Sequence, residues 1–197
     1  MDKIKIAHIT SVHGEKDIRI FQKECCSLSE NFEVHLYNAH YNGIEKNIYF
    51  HKLPFFKNRI IRILTSWIIA IPPLILKDYK IIHFHDPELM FAIPIWKLFG
   101  KKIIYDVHEN YSKHLEVKSY IPKIVKPIIF WIIKFIENNF SKLVDSIIVV
   151  HKDLNKDLNK LNKHIVVSNA PILDYKYLSK KRKRSEERRV GKECPLL

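Results

Sequence analysis

Short apolar segments rich in β-branched residues recur along the chain, and segments with helical spacing separate most of them. We predict strands over Ile4–Thr10, Phe32–Ala39, Ile48–Lys52, Ile81–His85, Ile103–Val107, Ser146–Val150 and Ile165–Ser168. Strands that are apolar throughout are typical of parallel sheets covered on both faces. The alternation therefore predicts an α/β fold, a Rossmann-like parallel sheet with helices on both faces.

The predicted helices lie between these strands. Asp17 can cap a helix over Ile18–Ser29. A long apolar helix is predicted over Ile60–Leu76, where Pro72 and Pro73 stop it. The other predicted helices are 87–99 with Pro87 in its first turn, Ile124–Val144 and Lys152–Leu161.

Composition limits the number of domains and the cellular compartment. The chain has 197 residues, 47% of them hydrophobic, which is enough for one substantial core. Its three cysteines, two of them adjacent, show no zinc spacing and form no ordinary structural disulfide. The amino terminus has no signal-peptide hydrophobic region. We therefore predict a cytoplasmic protein.

The net charge of +13 is unevenly distributed. Eight Lys or Arg and three Glu lie between Lys180 and Leu197, in a segment without a periodic apolar face. We predict one domain over residues 1–178 and interpret residues 179–197 as a non-native or disordered tail. The alternative is a native basic tail that binds nucleic acid or anionic lipid. On the first interpretation no nucleic-acid partner is expected.

Polar residues follow several of the predicted strands. In open parallel sheets ligands bind beyond the carboxyl ends of the strands. We therefore expect a site in one cleft formed by residues 10–14, 85–87, 108–110 and 169–171. The alternative is that these residues only cap helices and fill loops.

Histidines and carboxylates recur at two of these strand ends. His83 and His85 share one side of a strand, and Asp86 follows them. Asp106, His108 and Glu109 repeat the arrangement at the next strand. The His83–Asp86 segment lacks the spacing of known hydrolase metal motifs and no cysteine joins it, so we predict no metal site.

Several segments carry a resemblance to a known family. KIAHITSVHGEKDIRIFQKECCSLSENFEVHLYNA, HFHDPEL, KIIYDVHENY and VVSNAP occur in order between Lys3 and Leu178. Together they resemble glycosyltransferase family 4, particularly its bacterial cell-surface polysaccharide type. The resemblance implies the amino-terminal, acceptor-side half of a two-domain GT-B enzyme, truncated before the domain that binds the donor.

The resemblance also implies an activity. It is a retaining transfer of a sugar from a nucleotide-sugar to an acceptor, without an obligatory metal or other cofactor. The fragment alone is expected to be inactive, because the donor pocket of the family lies mainly in the second domain.

Site residues follow from the resemblance. His108 matches a histidine that faces the reacting sugar, and its implied role is to hydrogen-bond the donor sugar or to stabilise the transition state. The loop after the first strand approaches the donor phosphates and the acceptor, with Gly14 giving close backbone approach. Arg19 pairs with an anion, or with Asp17 or Glu15 on the surface. The substrate-binding candidates are Ser11, His13, Gly14, Asp17, Arg19, His85, Asp86 and Glu109.

The two long apolar helices also carry basic residues. The helix over Ile124–Val144 is too short and too charged to span a bilayer. Both helices can pack in the core or lie at a membrane interface with lysines toward anionic headgroups, which would suit a lipid-linked acceptor.

Two rival functions stay open: a non-catalytic Rossmann-like module that binds a nucleotide or anion, and a nucleic-acid binder that uses the basic tail.

Overall fold

The computed structural model describes residues 3–107, 126–150 and 164–168, and every structural statement concerns these residues. Several predicted features lie outside them. These are His108, Glu109, the helix over Lys152–Leu161, the segment 169–171 and the tail 179–197.

The described strands form one sheet in the order β3-β4-β2-β1-β5-β6-β7-β8. Every neighbouring pair is parallel except β3 and β4. The predicted strands are found within one or two residues of their predicted ends. The bounds are β1 Lys5–Ile9, β2 Glu33–Asn38, β3 Gly43–Glu45, β4 Ile48–Lys52, β5 Ile81–Phe84, β6 Lys102–Val107, β7 Ser146–Val149 and β8 His164–Val166.

Strand β3 was not predicted from the sequence. It pairs antiparallel with β4 through a two-residue turn, in which Lys46 and Asn47 have φ of 50° and 61°. Both turn residues therefore lie in the left-handed region, as a tight hairpin requires. The strand has only three residues, of which Ile44 alone is apolar, so it carries no apolar pattern that could have identified it.

The predicted helix over Ile18–Ser29 is present, but most of it is a π-helix. The π-helix spans Ile18–Cys25 and continues into α1, Cys26–Ser29. Asp17 caps it as predicted, because its carboxylate accepts hydrogen bonds from the backbone N–H groups of Arg19 and Ile20 at 2.8 and 2.9 Å.

Helix α2 spans Arg59–Leu76 and passes through Pro72 and Pro73. The prediction that these prolines stop the helix is therefore wrong. Each proline removes one intrahelical donor. The last turn is nevertheless held, because Leu74 is fully buried in the core.

The remaining described helices are shorter. A 3₁₀-helix over Pro87–Ala92 leads into α3, Ile93–Leu98, and α4 spans Lys126–Phe140 before a 3₁₀ turn over Ser141–Leu143. Within the described ranges, no helix combines the length and the hydrophobicity that a membrane span needs.

The two faces of the sheet carry different side chains. Ala7, Ile9, Ile82 and Phe84 belong to the larger core, where α2, α3 and the 3₁₀-helix pack. Strand alternation turns the intervening residues of β1 and β5 toward the π-helix. Helices therefore cover both faces, as predicted, and the π-helix face receives the buried histidines.

Trp96 lies at the centre of the larger core with none of its surface exposed, whereas Trp131 on α4 is 75% exposed. We expect Trp96→Ala to lower the free energy of unfolding by about 3–5 kcal/mol, because a large cavity replaces the ring. The matched variant Trp131→Ala should change it by no more than about 0.5 kcal/mol. Denaturant titration of both variants checks this, and equal effects would contradict the described packing.

Candidate functional site

Three histidines meet on the π-helix face of the sheet. His8 on β1 lies directly opposite His83 on β5, and His85 follows two residues after His83. The ring centroids are 4.5 Å apart for His8 and His83, and 4.7 Å for His83 and His85. Nδ1 of His8 lies 3.2 Å from Nε2 of His85. The parallel register of β1 and β5 thus builds a compact buried group of imidazoles.

A bidentate ion pair lies beside these histidines. Arg19 donates from Nε and Nη2 to the two carboxylate oxygens of Asp106, at 2.9 and 2.8 Å. Arg19 Nε also lies 3.1 Å from Oε1 of Glu24. Arg19 is buried and pairs with Asp106, so the alternative that it pairs with Asp17 or Glu15 on the surface is wrong.

The π-helix explains why Arg19 and Glu24 act together. They are five residues apart, the separation that hydrogen bonds join in a π-helix. In an α-helix of 3.6 residues per turn they would point in different directions. We call the set of His8, Arg19, Glu24, His83, His85 and Asp106 the buried polar cluster.

Burial and neighbouring charges set the protonation states in this cluster. Burial, together with His85, lowers the pKa of His8 to about 3, so His8 is neutral. Burial, together with the carboxylate of Asp106, raises the pKa of Glu24 to about 9. Burial opposes the charge of Arg19, but its hydrogen bonds to Asp106 raise the pKa of the guanidinium. Arg19 is therefore the fixed positive charge of the cluster.

A second group of polar residues lies at the carboxyl ends of β1 and β5. Oδ2 of Asp86 accepts hydrogen bonds from Oγ1 of Thr10 at 2.8 Å and from the backbone N–H of Ser11 at 2.6 Å. The hydroxyl of Ser11 donates to Oε1 of Glu88 at 2.8 Å. Asp86 thereby fastens the loop after β1 to the end of β5.

The same loop is held at its far side by His13. Its Nδ1 lies 3.3 Å from Oδ2 of Asp17, and its Nε2 lies 3.7 Å from Oδ1 of Asp86. The hydrogen bond with His13 lowers the pKa of Asp17, as do the backbone N–H groups that Asp17 caps. Gly14 is exposed, and a Cβ built on it would meet no atom within 4 Å. No other part of the described chain therefore packs closely against Gly14.

A small cleft lies beside this loop, with an enclosed space of about 10 Å³, roughly that of one water molecule. Its wall on one side is the end of β1 with Thr10 and Ser11, and on the other side α2 with Arg62 and Ser66. Phe55, at the mouth, is 41% exposed. The lining of the cleft is apolar apart from a few hydroxyl groups and one guanidinium.

The predicted site residues that the structure describes form two groups, one around the loop after β1 and the other in the buried polar cluster. Ser11, His13, Asp17 and Asp86 surround the loop after β1, whereas Arg19 and His85 lie in the buried polar cluster. His108 and Glu109 lie outside the described residues.

Sequence reasoning missed three contributors: His8, Glu24 and Glu88. His8 could have been found, because it occupies the strand position that a parallel sheet sets beside His83. Glu24 carried no such signal, because only the π-helix turns it toward Arg19.

The sequence matches the profile of Glycosyltransferase Family 4 over residues 25–170. Comparison with curated proteins gives no match. The glycosyltransferase signal therefore comes from the family profile and from the fold.

Solved structures share the Rossmann-like half of the GT-B fold. UGT2 of Phytolacca americana, complexed with UDP-2fluoro-glucose and pterostilbene, is 11% identical with a TM-score of 0.59, over 93% of this chain and 57% of that chain. Sucrose-phosphate synthase of Thermosynechococcus elongatus is 12% identical, TM-score 0.59, over 84% and 48%. The lipopolysaccharide outer core galactosyltransferase WaaB, apo form, is 14% identical, TM-score 0.52, over 87% and 47%. The chain thus spans about half the length of these proteins.

Arg19→Ala should be strongly destabilising, because it leaves the buried carboxylate of Asp106 without its positive partner. We expect a loss of about 3–5 kcal/mol in the free energy of unfolding. Lys80→Ala removes an ion pair to Asp78 that is exposed on both sides, and should cost about 0–1 kcal/mol. Guanidinium denaturation of the two variants tests the difference, and a mild effect of Arg19→Ala would contradict the buried pairing.

Proposed function

Because the chain belongs to glycosyltransferase family 4, we propose that it is the acceptor-side domain of a transferase. The proposed enzyme moves a glycosyl group from a nucleotide-sugar to a sugar or lipid-linked acceptor, in the synthesis of cell-surface polysaccharide or glycoconjugate. Two structures with the same fold support the donor class, since one holds UDP-2fluoro-glucose and another UDP. A third is named a lipopolysaccharide galactosyltransferase, which supports the cell-surface context.

The cleft between α2 and the loop after β1 is the observation that carries this proposal. In open α/β sheets ligands bind beyond the carboxyl ends of the strands, and this cleft lies at the ends of β1 and β2. Ser11 and Ser66 offer hydroxyl groups to an acceptor, and Arg62 offers a positive charge. We propose that the acceptor docks over this cleft and contacts these side chains from outside, since the enclosed space is only about 10 Å³.

The proposed transfer retains the configuration of the sugar and uses no cofactor. The acceptor oxygen bonds to the anomeric carbon, the bond from that carbon to the diphosphate breaks, and the acceptor proton goes to the departing diphosphate. His108 donates a hydrogen bond to the donor sugar and stabilises charge in the transition state. Asp86, whose Oδ2 is occupied by Thr10 and Ser11, keeps Oδ1 toward His13 and can orient a hydroxyl group.

His108→Ala should reduce transfer severely while leaving the fold intact, because one stabilising donor in a transition state is worth roughly 10²–10³ in kcat. His51→Ala is the matched control, since His51 on β4 stacks on His35 and does not line the cleft. The assay is transfer of labelled sugar by the full-length protein. Unchanged transfer in His108→Ala removes His108 from the mechanism. Nucleotide binding without any transfer by the wild type favours the non-catalytic binding module.

The outer side of α2 supports a membrane-bound acceptor. Ile60, Leu64, Ile68 and Leu76 recur every four or eight residues and are 51–82% exposed. Lys57 and Lys77 flank the helix, and no acidic residue lies between them. An apolar stripe with basic ends fits an anionic bilayer surface. We propose that α2 lies on the cytoplasmic leaflet, with its inner side lining the cleft over which the acceptor docks.

Leu64→Glu should weaken binding to vesicles that contain anionic phospholipid by about tenfold or more, because it removes an apolar side chain that would insert into the bilayer and adds charge repulsion. Ile44→Glu is the matched control, since Ile44 on β3 is 66% exposed but distant in sequence from the stripe. Co-sedimentation at low and high salt measures the difference. Equal binding of the two variants would exclude α2 as the contact surface.

A further inference from the structure

The buried polar cluster contains a set of side chains suited to hold a metal ion. His8, Glu24, His83 and His85 each offer one ligand atom, and these four atoms lie within 4.8 Å of one another. We propose that they bind one divalent transition-metal ion, with Zn²⁺ the best match, as a structural ion that joins the π-helix to β1 and β5. The proposal is independent of the transfer reaction.

The ligand types favour zinc over magnesium or calcium. Three imidazole nitrogens and one carboxylate oxygen suit Zn²⁺ and its first-row neighbours, whereas the hard cations take oxygen ligands. Zn–N bonds of about 2.05 Å at tetrahedral angles set neighbouring ligands about 3.3 Å apart. Nδ1 of His8 and Nε2 of His85 are 3.2 Å apart. That separation matches one edge of such a site.

The four side chains come from three segments that the fold holds firmly. His8 and His83 are register partners on two central strands, and His85 follows directly. Glu24 reaches them from the π-helix, whose Asp17 cap fixes its start. An ion at this point would link the helix to the sheet, which is what closed four-ligand zinc sites do in small domains.

The neighbouring residues orient the proposed ligands. Nδ1 of His85 lies 3.4 Å from Oδ2 of Asp106, the arrangement by which a carboxylate fixes the tautomer of a ligating histidine. Arg19 holds Oε1 of Glu24 at 3.1 Å. Within residues 3–107, 126–150 and 164–168, Oε2 of Glu24 has no hydrogen-bond partner, although this atom is buried. Such atoms are costly to bury unless something binds them.

The charges of the buried polar cluster favour a bound cation. Two carboxylates, Asp106 and Glu24, face one guanidinium, that of Arg19. The cluster thus has one carboxylate in excess of its guanidinium, which favours binding of a cation.

The proposal departs from the prediction of no metal site. That prediction was based on the His83–Asp86 segment, which lacks the ligand spacing of known hydrolase metal motifs. The spacing of ligands along the chain was uninformative here, because His8 is 75 residues and Glu24 is 59 residues before His83.

The first test is metal binding by the whole chain, purified without a polyhistidine tag and stripped with a chelator. Co²⁺ is titrated because its visible absorption bands report tetrahedral coordination, and Zn²⁺ is then added. We expect one equivalent of Co²⁺ with tetrahedral bands, displacement by Zn²⁺ and a higher melting temperature of the loaded protein. A wild-type chain that is folded by circular dichroism and binds neither ion tighter than about 10 μM overturns the proposal.

Two variants identify the ligands. Glu24→Gln replaces the carboxyl group with an amide of the same shape, so a role limited to hydrogen bonding would tolerate it. As a metal ligand it should weaken Co²⁺ binding by more than the roughly 10–100-fold that loss of an outer-shell partner costs. His8→Ala should do the same, and His51→Ala should not. If His8→Ala fails to fold, Glu24→Gln decides. Wild-type affinity in Glu24→Gln overturns the assignment of this cluster as the site.

Discussion

The buried ion pair between Arg19 and Asp106 is the interaction on which the candidate site depends. It joins the π-helix to β6, and Nη1 of Arg19 also donates to the backbone carbonyl of Val167, beyond β8, at 3.3 Å. Removing two charges from water is costly, and the cost is offset only when geometry and hydrogen bonding are good. The bidentate contact meets that requirement. It therefore fixes how the loop before the π-helix approaches the end of the sheet.

The sheet separates two kinds of chemistry. On the α2 face lies the cleft, with an apolar lining and an opening beside exposed residues of α2. On the π-helix face lies the buried polar cluster, in which the side chain of Glu24 is 14% exposed and the histidines, Arg19 and Asp106 are buried. Asp86 stands at the boundary, where it fastens the loop after β1 to the end of β5. A ligand docked over the cleft can thus exchange while the opposite face supplies rigidity.

Much of the fold was predictable, because apolar strands and helical spacing are local signals. The ends of β1 and β4 follow directly from their residues. The course of α2 through Pro72 was not predictable, because tertiary packing of Leu74 overrides the local preference. The site was harder to predict. Asp17 was predictable as a cap, but the partner of Arg19 is 87 residues away and becomes its neighbour only through the sheet order.

The π-helix gives this part of the chain an unusual sensitivity to length. A helix of this kind accommodates an extra residue per turn relative to an α-helix. Insertion of a single residue between Arg19 and Glu24 would set them six residues apart, a separation that places two side chains on different faces of either a π-helix or an α-helix. Glu24 would then leave the cluster even though every side chain that forms it was still encoded. The arrangement of the cluster therefore depends on the number of residues in this segment as much as on their identity.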